Sequence, residues 1–363
     1  MYFNAQTLKA MRLGPGSLGQ VDLFFAWGQA QLDDIRSVLP GKVFPMVVTG
    51  NPRVDILRPE YRAYYTDEAA RLRRRHGLIL LINTGFPFAN HYIDSEALKR
   101  SWTKYPVPDG FFEGWARVQG EGMASFLDLI PQLHSAFPDH TIIVRPHPSE
   151  NHETWRVQLK DLPRVLVTAE DAAVLWIAAA DLLIHFDCTT GIEAYLLGVP
   201  SIAYHNVQTP GYRQPLPNLL SYELQDEETV LNLARRIIAG QEPGDVLQND
   251  PARRAVAERY MAGLEGALAS ERILDALERV KPFAGFWRAG RIRPTLNRAA
   301  GEFQRWRHAH FNRSEGGYVA QKFPGLELAE LQERMERLYR VSGRFHKMDV
   351  QPVAPACYRI RAT

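Results

Sequence analysis

The chain has 363 residues, 45% of them hydrophobic, which is enough for two domains that each bury a core. Lys and Arg total 43 and Asp and Glu total 41, so the net charge of +2 excludes the basic excess of a dedicated nucleic-acid-binding protein. Two cysteines argue against a disulfide scaffold and fit a reducing compartment. With no signal peptide and no apolar run of about 18 residues, we expect a cytoplasmic protein. Basic clusters at 71–75 and 288–307 leave open a peripheral association with the inner membrane.

The first 60 residues have the pattern of a strand, a helix and a second strand. Apolar runs at 21–27 and 43–48 predict the strands, and 29–38 predicts the helix between them. A tight turn at 49–52 follows the second strand. This is too little chain for a complete Rossmann-like domain, so we expect 1–75 to be a partial N-terminal domain.

Apolar and helical segments then alternate along the chain. Buried strands are predicted at 78–82, 141–144, 165–167, 182–185 and 201–204, with helices at 110–137, 169–180, 192–197, 230–238 and 251–277. This alternation is typical of βαβ units and predicts an α/β fold with a parallel sheet over 76–280. Residues 281–363 are predicted to form C-terminal helices.

Three polar loops, 83–91, 145–150 and 185–193, follow predicted strands, and parallel sheets bind ligands at the carboxyl ends of their strands. In the first loop Thr84, Asn90 and His91 offer polar side chains, and Gly85 permits close backbone approach. The alternative is a surface loop plugged by its two phenylalanines.

The second and third loops contain groups suited to a phosphate. In Arg145-Pro146-His147-Pro148 the prolines hold the loop rigid, and both basic side chains can donate to a phosphate. Thr189, Thr190 and Gly191 open a helix whose N–H groups and dipole favour an anion, and Glu193 can reach a ribose or sugar hydroxyl. The alternative is a capping box formed with Glu193.

Two further side chains, His185 and Asp187, precede this helix. His185 is placed with the donor-binding residues. Asp187 is a candidate base or nucleophile, although a cap or turn former is the favoured interpretation. The candidate catalytic residues are thus Asp187 and Glu193.

The order and spacing of these motifs resemble the bacterial surface carbohydrate biosynthesis protein family. The resemblance is carried by Phe25-Ala26-Trp27-Gly28, Val48-Thr49-Gly50-Asn51-Pro52-Arg53-Val54-Asp55, Ile82-Asn83-Thr84-Gly85-Phe86 with Phe88-Ala89-Asn90-His91, Arg145-Pro146-His147-Pro148, Cys188-Thr189-Thr190-Gly191-Ile192-Glu193-Ala194 and Gln321-Lys322-Phe323-Pro324-Gly325. That family looks like GT-B glycosyltransferases with two Rossmann-like domains, related to retaining Kdo transferases and more distantly to glycerophosphotransferases and nucleotide-sugar epimerases.

The resemblance implies a glycosyltransferase of lipopolysaccharide or capsule synthesis with a nucleotide-sugar donor, CMP-Kdo being favoured, and a glycan or lipid-linked acceptor. His147 and the turn at 189–191 would hold the phosphate, and Glu193 would contact ribose or sugar. No cofactor and no metal are implied, and residues 281–363 would pack back on the N-terminal domain. The alternatives are an epimerase or glycerophosphotransferase-like enzyme and a non-catalytic nucleotide-binding partner in polysaccharide assembly, which the short N-terminal part favours.

Overall fold

The computed structural model describes eleven segments of the chain. They are residues 5–13, 21–39, 41, 44–93, 98–100, 105–207, 211–241, 245–279, 325–344, 348–354 and 357–362. The chain divides into two compact units, Met1–Arg272 and Ile273–Thr363. Two of the sequence features above, the basic cluster at 288–307 and most of the motif at 321–325, lie outside the described residues.

The strands in chain order are β1 Phe24–Ala26, β2 Met46–Val48, β3 Leu78–Asn83, β4 His140–Arg145, β5 Val165–Val167, β6 Leu182–His185, β7 Ser201–Tyr204, β8 Tyr222–Leu224, β9 Met348–Ala354 and β10 Cys357–Ala362. The helices are α1 Ala5–Arg12, α2 Gln29–Val38, α3 Pro52–Asp55, α4 Thr66–His76, α5 Phe111–Ala136, α6 His152–Leu159, α7 Ala173–Ala179, α8 Thr190–Leu197, α9 Pro215–Leu219, α10 Glu227–Ile238, α11 Asp245–Asn249, α12 Pro251–Tyr260, α13 Ala269–Glu278 and α14 Leu328–Ser342. A 3-10 helix, Pro59–Tyr65, precedes α4.

The first unit is built on a six-stranded sheet in the order β5-β4-β3-β6-β7-β8, and all its neighbouring strands are parallel. Strands in such a sheet are covered on both faces, which explains why their sequences read as unbroken apolar runs. The predicted α/β fold with a parallel, Rossmann-like sheet is therefore confirmed. All five strands predicted within 76–280 are present, and β8 is an additional strand.

The side chains of β3 alternate between two cores. Leu80 and Ile82 pack with α5 and α10 on one face, whereas Ile79 and Leu81 pack with α4, α7 and α8 on the other. Since side chains of a strand alternate between faces, the last residue of the strand, Asn83, belongs to the face of α8. Asn83 at the end of β3 and the start of α8 therefore lie on the same side of the sheet.

The N-terminal part contributes a small parallel pair, β1 and β2, joined by α2. The two strands are shorter than predicted. A close approach holds this part against the segment after α12, because a side chain at Gly50 would meet the Ala262 carbonyl. Asp55 adds a polar contact, since its carboxylate accepts the backbone N–H groups of Ala269 at 2.8 Å and Ser270 at 2.9 Å at the start of α13.

Two helix predictions need correction. The predicted helix at 251–277 is broken between α12 and α13, where Gly263 and Gly266 adopt the left-handed φ values of 79° and 70°. The C-terminal segment is not wholly helical, because α14 is followed by an antiparallel hairpin of β9 and β10. The alternating side chains Tyr358 and Ile360 are the period-two signal of this strand pair. None of the helices among the described residues is both long and apolar enough to span a bilayer.

Candidate functional site

The carboxyl ends of β3 and β6 form the topological switch point of the main sheet. From β3 the chain adds β4 and β5 on one side and then returns to add β6, β7 and β8 on the other. Asn83 pairs with His185 in the register of these two strands, so the loops that follow begin side by side. In doubly wound sheets the crevice outside such a switch point is the place where ligands bind. This geometry makes the β3 and β6 loops the candidate site.

A completely buried carboxylate, Glu150, ties the loop after β4 to the loop after β3. Its Oε1 accepts hydrogen bonds from Thr84 Oγ1 at 2.6 Å, Phe86 N at 3.1 Å and His147 N at 3.0 Å, and its Oε2 accepts one from Trp155 Nε1 at 2.9 Å. Burial raises the pKa of Glu150, and the four hydrogen bonds oppose this shift. Three of the four donors are in or next to the predicted ligand loops, so Glu150 sets the shape of this edge.

The other predicted residues of the β3 loop are also part of its architecture. Asn90 donates from Nδ2 to the Asn151 carbonyl at 3.0 Å and accepts at Oδ1 from Thr154 Oγ1 at 2.8 Å. His91 Nδ1 accepts the Ile93 N–H at 2.9 Å. Asn90 thus joins the loop after β3 to the start of α6, and His91 stabilises a turn within its own segment.

Gly85 provides a close approach of a different kind from that predicted. An added Cβ would lie 2.7 Å from the Phe186 carbonyl oxygen, well inside contact distance. The glycine therefore lets the β3 loop pack directly on the β6 loop at the switch point.

The two basic residues at the carboxyl end of β4, Arg145 and His147, have separate environments. The Arg145 guanidinium donates to the Glu170 and Asp171 carbonyls at 2.6 and 2.9 Å, and burial lowers its pKa to about 10. His147 Nδ1 accepts the Ser149 N–H at 3.1 Å, which in a neutral ring leaves the proton on Nε2. Arg145 thus braces the loop after β5, whereas His147 has the tautomer that donates from Nε2.

His185 is a buried neutral residue. Its Nε2 lies 3.0 Å from Ser221 Oγ, and its Nδ1 accepts the Cys188 N–H at 3.3 Å. Burial lowers its pKa to about 3, so the ring carries no charge at neutral pH. These contacts fix the turn that leads into α8.

The start of α8 is tighter than the predicted anion site. Gly191 N and Ile192 N donate to the Cys188 and Thr189 carbonyls, and Thr190 lies against the Cys188 sulfur. The exposed Thr189 makes no side-chain cap, and its N–H forms no hydrogen bond within the described part of the chain. The predicted capping box is absent, and most of the amides expected to be free are bonded. Thr189 is therefore the residue of this turn that presents polar groups to solvent.

Glu193 forms an ion pair with Arg53 of α3 instead of capping α8. The Glu193 side chain is 8% exposed, whereas that of Arg53 is 70% exposed. The ion pair therefore joins a buried carboxylate to a guanidinium group at the surface. Burial raises the pKa of Glu193, and Arg53 opposes the shift. The second oxygen, Oε2, is buried without a hydrogen-bond partner. Tyr65, whose hydroxyl is similarly buried and unpaired, has its pKa raised by burial and by charges that include Glu193.

Asp187 is neither a plain cap nor an isolated base. It adopts a left-handed φ of 46°, and its Oδ1 accepts hydrogen bonds from His205 Nε2 at 2.8 Å and from Asn218 Nδ2. Both partners are buried, and each keeps one unpaired polar atom, Nδ1 of His205 and Oδ1 of Asn218. Asp187 Oδ2 accepts no hydrogen bond from the residues that the structure describes. Asp187 therefore belongs to a buried polar cluster that the sequence did not reveal.

Asn83 is the other unexpected residue of the switch point. It is 3% exposed, yet neither its amide nitrogen nor its amide oxygen has a hydrogen-bond partner. Buried polar groups are nearly always paired, so an unpaired amide at the edge where doubly wound sheets bind their ligands marks Asn83 as a candidate binding residue. A polar residue that ends a buried apolar run was the available signal for Asn83. No local pattern marks Glu150, His205 or Asn218, which act through residues distant in the chain.

Among the described residues, no group of His, Cys, Asp and Glu side chains is arranged to hold a metal ion. The residues that combine a place at the carboxyl edge with unused hydrogen-bonding capacity are few. In the part of the chain that the structure describes they are Asn83, Asp187, Thr189, Thr190 and Glu193, together with His205 and Asn218, which contact Asp187.

No protein-family model matches the chain, and no curated protein matches it. Among solved structures, the chain is similar to the wall teichoic acid polymerase TagF soaked with CDPG, with 13% identity and a TM-score of 0.49 over 75% of this chain and 60% of that one. It is also similar to Anabaena HepE in complex with UDP-glucose, with 15% identity and a TM-score of 0.40 over 72% of this chain and 64% of that one. The chain thus spans less than two thirds of the length of either structure. With TM-scores below 0.5, neither similarity assigns an activity or a ligand to this chain.

Proposed function

We propose that the chain binds a nucleotide sugar at the switch point and acts as a GT-B-type glycosyltransferase of surface polysaccharide synthesis. The observation that carries this proposal is the unpaired, buried amide of Asn83 at the end of β3, which pairs in register with His185 at the end of β6, at the switch point of the sheet. A nucleotide sugar supplies both hydroxyl groups and phosphate oxygens, which match the amide of Asn83 and the exposed Thr189 at the start of α8.

The expected chemistry is departure of the nucleotide from the sugar. Negative charge then develops on the phosphate, where the positive end of the α8 dipole and the Nε2–H group of His147 stabilise it. Glu193 Oε2 is the group that we expect to bind a ribose or sugar hydroxyl. In this proposal the basic and dipolar groups take the place of a metal ion.

CMP-Kdo is the donor that we propose, with a glycan or a lipid-linked molecule as acceptor, in lipopolysaccharide or capsule synthesis in the cytoplasm at the inner membrane. We assign donor binding to residues 76–280 and the acceptor side to residues 1–75. These finer assignments rest on the motif resemblance alone.

Calorimetric titration with CMP, CDP, UMP and UDP tests the donor pocket directly. We expect one cytidine nucleotide to bind the wild type and to bind at least about tenfold more weakly to Asn83→Ala and His147→Ala, because each removes a hydrogen bond to a polar or charged ligand group. His134→Ala is the matched control, because His134 lies at the end of α5, before β4 and away from the carboxyl edge.

The outcomes separate the possible functions. Absence of nucleotide binding by the folded wild type contradicts the proposal. Binding with equal affinity in the two site variants means that the nucleotide lies elsewhere. Nucleotide-sugar binding without release of free nucleotide in the presence of acceptor lipid or glycan favours the non-catalytic binding partner.

A further inference from the structure

His205 and Asn218 both donate to the same carboxylate oxygen of Asp187 and thereby fix the orientation of the whole carboxylate. Asp187 Oδ1 receives two hydrogen bonds, from His205 Nε2 and Asn218 Nδ2, which occupy both of its lone pairs. A carboxylate held at one oxygen leaves the other in a defined direction. Asp187 Oδ2 is that oxygen, and it accepts no hydrogen bond from any residue in the described ranges.

The histidine is itself fixed from two further sides. Its ring lies on the Phe186 ring with centroids 4.3 Å apart and planes 29° apart, and its backbone N–H donates to the Leu224 carbonyl at 2.8 Å. Because an ionised carboxylate oxygen only accepts, His205 carries its proton on Nε2. The ring is therefore a rigid donor that faces Asp187.

The cluster is costly for the fold, which argues against a purely structural role. His205 and Asn218 are 3% and 2% exposed, and each buries one polar atom without a partner. Each unpaired buried atom destabilises a protein, because it has lost its hydrogen bonds to water without gaining a partner. The left-handed backbone of Asp187 adds strain in a residue that is not glycine, and such strain concentrates at functional sites.

The position of Asp187 connects this cluster with the switch point. Asp187 is the second residue after β6, and the carbonyl of the intervening Phe186 is the atom on which Gly85 packs. The carboxylate thus lies on the short connection from β6 to α8, beside the crevice assigned to the ligand.

We propose that His205 and Asn218 are positioning residues that hold the Asp187 carboxylate so that Oδ2 accepts a hydrogen bond from a hydroxyl group of the sugar carried by the nucleotide. This proposal rests on the proposed function and deepens it, because it assigns the sugar, and not the nucleotide, to the Asp187 side of the site. It predicts that damage to the cluster weakens binding of a nucleotide sugar without weakening binding of its nucleotide.

The decisive variants are two amides at position 205. His205→Gln keeps an N–H group near the place of Nε2, whereas the shorter side chain of His205→Asn does not reach Asp187. Both keep a polar, uncharged side chain, so the pair differs mainly in the hydrogen bond to Oδ1. Asp187→Asn removes the charge at constant size, and His134→Asn is the control away from the site.

Calorimetry compares each protein with CMP and CMP-Kdo, and with UDP and UDP-glucose, using the pair that the wild type binds. We expect His205→Asn and Asp187→Asn to bind the nucleotide sugar about tenfold more weakly while nucleotide affinity stays within about twofold. His205→Gln should restore nucleotide-sugar affinity to within about threefold of the wild type. Thermal unfolding establishes that each variant is folded at the titration temperature.

Equal weakening of nucleotide and nucleotide sugar in His205→Asn would overturn the proposal, because a general structural role produces that result. Unchanged affinities in all variants would also overturn it. If the wild type binds the nucleotide sugar no more tightly than the nucleotide, this inference fails, whereas the proposed nucleotide-binding site is retained. If the wild type binds no nucleotide at all, the proposed function fails first and takes this inference with it.

Discussion

Replacement of Glu150 by glutamine tests whether one buried carboxylate holds the ligand loops together. The carboxylate accepts four hydrogen bonds, three at Oε1 and one at Oε2, and is completely buried. An amide of the same size keeps only one accepting oxygen. Glu150→Gln therefore turns one of the two acceptor positions into a donor that faces other donors.

The least costly orientation of the amide keeps its oxygen at the position of Oε1. The three donors there keep a partner, although the charge that strengthened these bonds is lost. The amide nitrogen then faces the Nε1–H group of Trp155, and two buried donors are left unpaired. Each unpaired buried group costs about 1–3 kcal/mol, and relief from burying a charge offsets part of this, so we expect a net loss of about 2–3 kcal/mol.

Urea and thermal unfolding measure this loss. For a unit of this size, a loss of 2–3 kcal/mol lowers the melting temperature by roughly 5–10 °C. Glu153→Gln is the matched control, because Glu153 is 66% exposed and forms an exposed ion pair with Arg156 on the same helix. We expect the control to change the free energy of unfolding by less than about 0.5 kcal/mol.

A Glu150→Gln variant as stable as the Glu153→Gln control would refute this reasoning, because it would mean that the four hydrogen bonds add nothing over an amide. If Glu150→Gln is as stable as the control but binds nucleotide more weakly, Glu150 shapes the loops without stabilising the fold, and the expected loss of stability is contradicted.

Three smaller perturbations test other contacts. Gly85→Ala places a methyl group 2.7 Å from the Phe186 carbonyl and should cost about 1–3 kcal/mol in urea unfolding. Asp55→Ala removes the acceptor for two N–H groups at the start of α13 and should cost about 1–2 kcal/mol by the same measurement. Arg53→Ala removes the cation that opposes the raised pKa of Glu193, so the variant raises this pKa further. Wild type and variant differ in stability only where Glu193 is ionised in the folded wild type. The cost of the variant should therefore be near zero while Glu193 is protonated and should grow to about 1 kcal/mol as the pH rises above the raised pKa of wild-type Glu193. A cost of Arg53→Ala that is the same at every pH would contradict this account.

The sequence was sufficient for the architecture of the sheet because its strands are marked by local patterns. The run Leu78–Asn83 is apolar on both faces, and the structure buries all but its first residue. Sequence reasoning missed the β9–β10 hairpin because its arginines and exposed side chains resemble a solvated helix face. It also joined α12 and α13, since a break caused by glycine in the left-handed region is not visible in hydrophobic periodicity.

For the site, the sequence predicted the loops but not the tasks of their side chains. The three loops lie at the carboxyl edge because parallel strands must end there. Whether a side chain in such a loop faces a ligand depends on partners far along the chain. Thr84 and Arg145 are bonded to Glu150 and to the loop after β5, contacts of 66 and about 25 residues in separation that no short motif records.

The hydrogen bonds at this edge distinguish side chains that hold the loops in place from side chains that remain available to a ligand. Most of the polar side chains in the three loops have hydrogen-bond partners in these loops or in neighbouring elements, so they need no ligand to be satisfied. Among the described residues, the capacity that remains includes Asn83 on β3, Asp187 on the connection between β6 and α8, and Thr189, Thr190 and Glu193 at the start of α8. A rigid frame with a few unsatisfied groups loses little conformational freedom on binding, so each new hydrogen bond contributes more of its energy to affinity. This arrangement supports the proposal that a polar ligand with several hydroxyl and phosphate oxygens binds here, and it identifies the side chains whose substitution should weaken that binding most.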